Sequence, residues 1–117
     1  MTAFTADAIA FQNVPELNLV AVIIAERGSG ARLEIQRNLA PDETDKMLGL
    51  ATYSVNLGAA SHYGGITAWQ VTEDTVTLTL DEAASQALGT GSEYSVTVGA
   101  EYQGMLQRGL TKVIDEA

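Results

Sequence analysis

Among the side chains able to do chemistry, Asp42, Glu43 and Asp45 stand closest together. A carboxylate pair can divide the acid and base roles of a hydrolysis, provided a desolvated pocket lifts the pKa of one member. These three lie in a polar stretch beside Lys46, which predicts hydrated carboxylates and no such pocket. Their spacing also lacks the alternating ligands of an EF-hand calcium loop. His62 is the sole histidine and follows Ser61. A Ser-His-Asp triad needs the serine against the imidazole, whereas neighbours on extended backbone point opposite ways. With one histidine and no cysteine there is no ligand set for a zinc or iron–sulfur site, no disulfide and no thiolate nucleophile. Gly28-Ser29-Gly30 and Gly89-Thr90-Gly91-Ser92 are glycine-rich. Neither leads into Gly-Lys-Thr or a helix N-terminus able to hold a phosphate. The expectation is a chain without catalytic residues, cofactor or metal.

The elements that must position these residues read as short strands. Residues 2–11 form a candidate strand, stopped by Asn13 and Pro15. Residues 17–25 include seven apolar positions in a row, from Leu19 to Ala25, the pattern of a central strand covered on both faces. Gly28-Ser29-Gly30 is a hairpin turn, after which residues 31–37 alternate Leu33 and Ile35 inward with Arg32, Glu34 and Gln36 outward. Residues 41–50 break the pattern and predict an excursion with one helical turn ending at Gly49. Alternation resumes over residues 52–57. His62-Tyr63-Gly64-Gly65 is a tight connection, and residues 66–71 and 75–80 make a second hairpin joined through Glu73-Asp74. On the latter strand Val76, Leu78 and Leu80 face inward, with Thr75, Thr77 and Thr79 outward. Trp69 falls out of phase with Ile66 and Ala68, which makes it either a second-layer core residue or an exposed aromatic anchor. Asp81 is a helix N-cap, with Gly89 beyond Leu88 as the stop. Tyr94, Val96 and Val98 belong to a last strand. From Glu101 onward Tyr102, Met105, Leu106, Leu110, Val113 and Ile114 recur at helical spacing, an apolar stripe for covering a sheet. The resulting class is α+β: a single domain over residues 1–117 with an antiparallel sheet of about six or seven strands, a short helix and a C-terminal covering helix.

At 117 residues and with 46 % hydrophobic side chains, the chain can bury one core unaided. Fifteen Asp and Glu against six Lys and Arg leave a net charge of −9. Such a surface repels phosphate backbones and anionic membranes. No run approaches the ~18 apolar residues of a membrane span, and residues 1–10 lack the cationic start of a secretory signal. The expectation is therefore a soluble cytoplasmic protein that takes neither nucleic acid nor membrane and attracts basic partners. The sequence leaves homo-oligomerisation open.

Several segments occur in a suggestive order: Leu33-Glu34-Ile35-Gln36-Arg37, Asp42-Glu43-Thr44-Asp45, Leu48-Gly49-Leu50-Ala51-Thr52-Tyr53 and Tyr63-Gly64-Gly65-Ile66. The set resembles the immunity protein 10 family of bacterial polymorphic toxin systems. That family's pattern runs from a strand ending Leu-Gln-Arg through an acidic loop, a Thr-Tyr strand and a Tyr-Gly-Gly-Ile turn. An alternating strand, an Ala-rich helix ending Leu-Gly and a closing helix follow. The likeness covers residues 30–114 and departs at Ile35, where the pattern has Leu. The resemblance implies a non-enzymatic protein that binds a cognate toxin domain and blocks it; if that toxin is a nuclease, its surface is basic. The candidate partner-binding residues are Asp42, Glu43, Asp45, His62, Tyr63 and Trp69, with Glu73 and Asp74 at the rim. Two other readings remain open at this point: a stand-alone interaction or small-ligand module, and an enzyme using a carboxylate pair.

Overall fold

The structure, a computed structural model, describes residues 2–40, 42–48 and 52–117. It is α+β with antiparallel sheets, as the alternation predicts; the described residues form eight strands in two sheets, where the sequence suggests one sheet of about six or seven. The first sheet is a five-stranded meander of β1 (Ala8–Val14), β2 (Leu19–Glu26), β3 (Ala31–Asn38), β4 (Ser54–Leu57) and β5 (Ala60–Tyr63). The second holds β6 (Ile66–Val71), β7 (Thr75–Leu80) and β8 (Glu93–Thr97). Helix α1 (Glu43–Met47) interrupts the meander, α2 (Glu82–Leu88) joins β7 to β8, and α3 (Gln103–Leu110) closes the fold.

Both expected hairpins form. Glu26 pairs with Ala31 around residues 27–30, and Val71 pairs with Val76 around residues 72–75. The N-cap at Asp81 is also present: its Oδ1 accepts the Ala84 N–H at 2.8 Å, and Gly89 stops α2 in the left-handed region at φ 71°. Of the excursion expected at residues 41–50, residues 42–48 are described and contain the short helix Glu43–Met47, while the expected stop at Gly49 lies outside the described residues.

Three expectations are corrected. The first strand covers Ala8–Val14 and not residues 2–11. Residues 3–6 cross instead to the second sheet, where Ala3 and Ala6 donate to the Ser95 and Thr97 carbonyls and Thr5 bridges Thr97 in parallel. Phe4 and Ala6 are buried by that crossing. Ala60, Ser61, His62 and Tyr63 are strand β5, paired with β4, so the connection shrinks to Gly64-Gly65. A bulge between Ile66 and Ala68 shifts the phase of β6 and sets Trp69 opposite Leu78, on the core side. Trp69 packs against the core, and its indole N–H donates to Asp115 Oδ1 at 3.0 Å.

The register puts Val20, Val22 and Ile24 of β2 on the same face as Leu33 and Ile35 of β3 and Val55 of β4. All six are almost completely buried, and they join Val76, Leu78 and Val96 of the second sheet in one core cluster. The opposite face of β2 is only partly covered: Ala21 is buried, but Leu19, Ile23 and Ala25 retain exposure. Helix α3 seals the core with Leu106 and Leu110, and Val113 follows in the next turn. It comes so near the first sheet that a Cβ on Gly109 would lie 2.8 Å from Val22 Cγ2. Past Leu110 the helix widens, and the Glu116 N–H reaches the Thr111 carbonyl five residues back. That widening frees the Lys112 carbonyl, which the Arg37 guanidinium takes through Nε at 3.2 Å and Nη2 at 2.9 Å.

Leu106→Ala or Leu110→Ala is expected to cost about 2–5 kcal/mol in denaturant unfolding, as large-to-small core changes do. Gly109→Ala is expected to destabilise as well, even though alanine favours helix, because its methyl group has no room above Val22.

Candidate partner-binding surface

The sequence-expected residues occupy three different places. Asp42 and Glu43 are exposed at α1, where Glu43 pairs with Lys46 at 3.6 Å. Exposed pairs of this kind hold little energy. Asp45 lies on the same helical turn. Tyr63 stands at the end of β5 opposite Ser54, with 49 % of its surface exposed. His62 points the other way, opposite Val55, and is half-buried. Glu73 and Asp74 are exposed at the tip of the β6–β7 hairpin. Since β6 runs six residues from the Gly64-Gly65 corner, that tip lies roughly 20 Å from it at strand spacing. Trp69 is turned into the core, as described above.

The exposed apolar side chains add a feature that periodicity does not reveal. Among the described residues the large exposed hydrophobics are Leu17 (70 %), Met47 (85 %), Leu48 (66 %) and Tyr63 (49 %). All belong to one end of the five-stranded sheet. Leu17 lies in the turn between β1 and β2, and Met47 and Leu48 lie in the link from β3 to β4. Asn18 ties the two segments together: its side chain bonds the Ala40 backbone at 2.7 and 2.9 Å, and its carbonyl accepts the Leu39 N–H at 3.1 Å. Between these segments and Tyr63 opens a polar cavity of about 110 Å³, lined by Leu19, Gln36, Asn38, Thr52 and Ser54 together with Arg37. Leu17 was hidden in the sequence because it opens the long apolar run. Pro15 starts a 3₁₀ turn there, and Asn18, at φ 54°, ejects Leu17 before the strand begins.

Behind Tyr63 the chain turns sharply, and the local chemistry explains the Tyr-Gly-Gly-Ile sequence. Gly64 and Gly65 adopt φ values of 71° and 93°. A Cβ on Gly65 would sit 2.5 Å from Ala84 Cβ, which no side chain can occupy. Asp81 donates its N–H to the Gly65 carbonyl at 2.9 Å. The buried Tyr53 hydroxyl accepts the Ile66 N–H at 2.9 Å and donates to the Ile66 carbonyl at 3.4 Å. Burial pushes the Tyr53 pKa above its ordinary value; the Asp81 carboxylate acts in the same direction and the hydrogen bond with Ile66 against it.

Charge is divided unevenly along the chain. Residues 47–107 contain no Lys or Arg and six carboxylates: Glu73, Asp74, Asp81, Glu82, Glu93 and Glu101. The second sheet and α2 are therefore purely anionic. The described residues contain no group of three or more His, Asp or Glu side chains able to hold a metal ion. No helix among them is long and apolar enough to cross a membrane.

A strongly acidic α+β protein, with its exposed apolar side chains gathered at one sheet end around a small polar cavity, is the class this geometry defines. The family model described as Immunity protein 10 matches residues 5–105, and the chain belongs to that family. The match takes in β1 and β2, which carry none of the motifs recognised in the sequence. Comparison with curated proteins and with solved structures finds no match.

Tyr53→Phe is expected to cost about 1–3 kcal/mol, because it strands the Ile66 N–H. The raised Tyr53 pKa sets the sign of the pH effect. Its contribution is complete below the unfolded tyrosine pKa of about 10 and is lost as pH rises through the folded value. Wild-type stability should thus fall more steeply than that of Tyr53→Phe above about pH 10, as denaturation series at several pH values would show.

Proposed function

We propose that this protein is a non-enzymatic immunity protein that binds and neutralises a cognate domain of a bacterial polymorphic toxin. In this reading residues 1–117 act as one immunity domain in the cytoplasm. Membership of the Immunity protein 10 family carries the proposal. The physical features support it. A preformed, rigid sheet presents its binding residues on loops and rims, and strong net charge speeds encounter with an oppositely charged partner. A basic toxin domain matches a chain of charge −9.

The toxin-facing surface in this proposal is the end of the five-stranded sheet that carries α1 and Tyr63. Asp42, Glu43 and Asp45 supply its charge, while Leu17, Met47, Leu48 and Tyr63 supply apolar contact. Tyrosine and methionine are enriched in the desolvated centres of protein interfaces, and charged residues in their rims. His62 points away from this contact, on the opposite face of β5. Glu73 and Asp74, at the far hairpin tip, steer the approach without joining this contact.

Asp42→Lys combined with Asp45→Lys is expected to lower the association rate with the cognate toxin domain, steeply at low salt and less at high salt. Tyr63→Ala should instead speed dissociation, by roughly tenfold or more if Tyr63 is a central anchor. Stopped-flow or surface-plasmon binding separates the two effects, and a melting temperature within a few degrees of wild type verifies the fold. Unchanged kinetics in both folded variants would move the inhibitory face to another part of the molecule.

A further inference from the structure

Two sheets present four edges, and three of them are protected. The edge of β8 is occupied by residues 3–6. β5 is only four residues long and has α2 packed against it. β6 is bulged between Ile66 and Ala68 and is tied to Asp115 through Trp69. Short length, bulges and covering segments are the devices by which proteins keep strand edges from pairing with other chains.

β1 is neither short nor bulged, and its contact with α3 is made on the core face, where Phe11 meets Gly109. Its seven residues, Ala-Ile-Ala-Phe-Gln-Asn-Val, include no charge and no proline. They pair with β2 in an unbroken seven-residue register, and no strand lies on the far side among the described residues. Along this edge runs a groove of about 470 Å³, with Phe11 and Asn13 on one wall and Arg108, Lys112 and Glu116 on the other.

We propose that this edge pairs antiparallel with the same edge of a second copy of the chain, giving a two-fold dimer with one continuous sheet across the junction. Charge selects the occupant. Lys112 is paired with Glu116 at 3.1 Å, so the groove keeps the net positive charge of Arg108 on a molecule of net charge −9; it attracts an acidic body, which a second copy is, and repels a basic toxin. An uncharged strand also pairs with itself without setting like charges opposite each other, and antiparallel self-pairing closes as a two-fold without growing into a fibre. An axis through the middle of β1 passes near the middle of the groove. The two C-terminal helices then run antiparallel past each other, which brings Arg108 of one copy toward Glu116 of the other. This dimer does not depend on the immunity reading, and its test needs no toxin.

Sedimentation equilibrium of the full chain, from low to high micromolar concentration, should show a species of twice the 12.3 kDa monomer mass. Ala10→Lys with Gln12→Lys places cations on the edge and should return the mass to that of a monomer. Arg108→Glu should weaken dimerisation at least tenfold, and adding Glu116→Arg should restore it; this charge swap decides the matter even if the double-lysine variant misfolds. A wild-type chain that stays monomeric throughout overturns the proposal. So does a dimer that survives undiminished in the folded double-lysine variant.

Discussion

The two sheets share a core because the chain can turn where no side chain stands in the way. At Gly65 the backbone passes so close to α2 that even a methyl group would collide with Ala84, and the positive φ values of Gly64 and Gly65 reverse its course within two residues. Tyr53 and Asp81 hold this corner from either side. Strands β1 to β5 of the meander precede it, and the second sheet's strands and the closing helix follow it. If the corner opened, the inner faces of Ile35 and Leu78 would each be left half-covered, and each sheet would bury too little apolar surface to persist alone.

The closing helix meets an equally tight limit at Gly109. Its last turn gives up regular geometry, and the carbonyl released at Lys112 is taken by Arg37 from β3. A cation from a strand thus completes a helix end that has no glycine stop. The arrangement commits Arg37 to structure and leaves few cations for the surface, which sharpens the division between an anionic second sheet and a mixed first sheet. Rigid sheets with this division present charge in a fixed direction, a condition under which electrostatic steering selects an orientation as well as a rate.

Much of this was legible in the sequence because short-range rules governed it. The hairpins at residues 27–30 and 72–75, the Asp81 cap and the Leu106–Leu110–Val113 stripe each follow from turn chemistry or periodicity within a dozen residues. Strand β5 was not legible: Ala60-Ser61-His62-Tyr63 has no apolar alternation, and its identity comes from pairing with β4. Nor does any local pattern state that antiparallel strands divide between two sheets, or that a bulge after Ile66 turns Trp69 inward. Of the candidate surface, single residues were readable but their grouping was not. Asp42 and Tyr63 share one end of a sheet because β3 ends and β4 begins there, whereas Glu73-Asp74 is carried away by the length of β6. Leu17 was concealed by its own neighbours, as the first member of an apolar run that a turn interrupts.

Thr2 and Thr97 share a hydrogen bond across 95 residues of sequence, and residues 3–6 lie along β8 beside it. During synthesis on the ribosome, Phe4 and Ala6 must wait for β8, while the inner face of the meander waits for Leu106 and Leu110. The hairpins of the first sheet can zip as they emerge, but the core closes only once nearly the whole chain has been released. A chain released before Leu106 would consequently expose apolar faces in both sheets, the kind of surface that quality-control proteases act on.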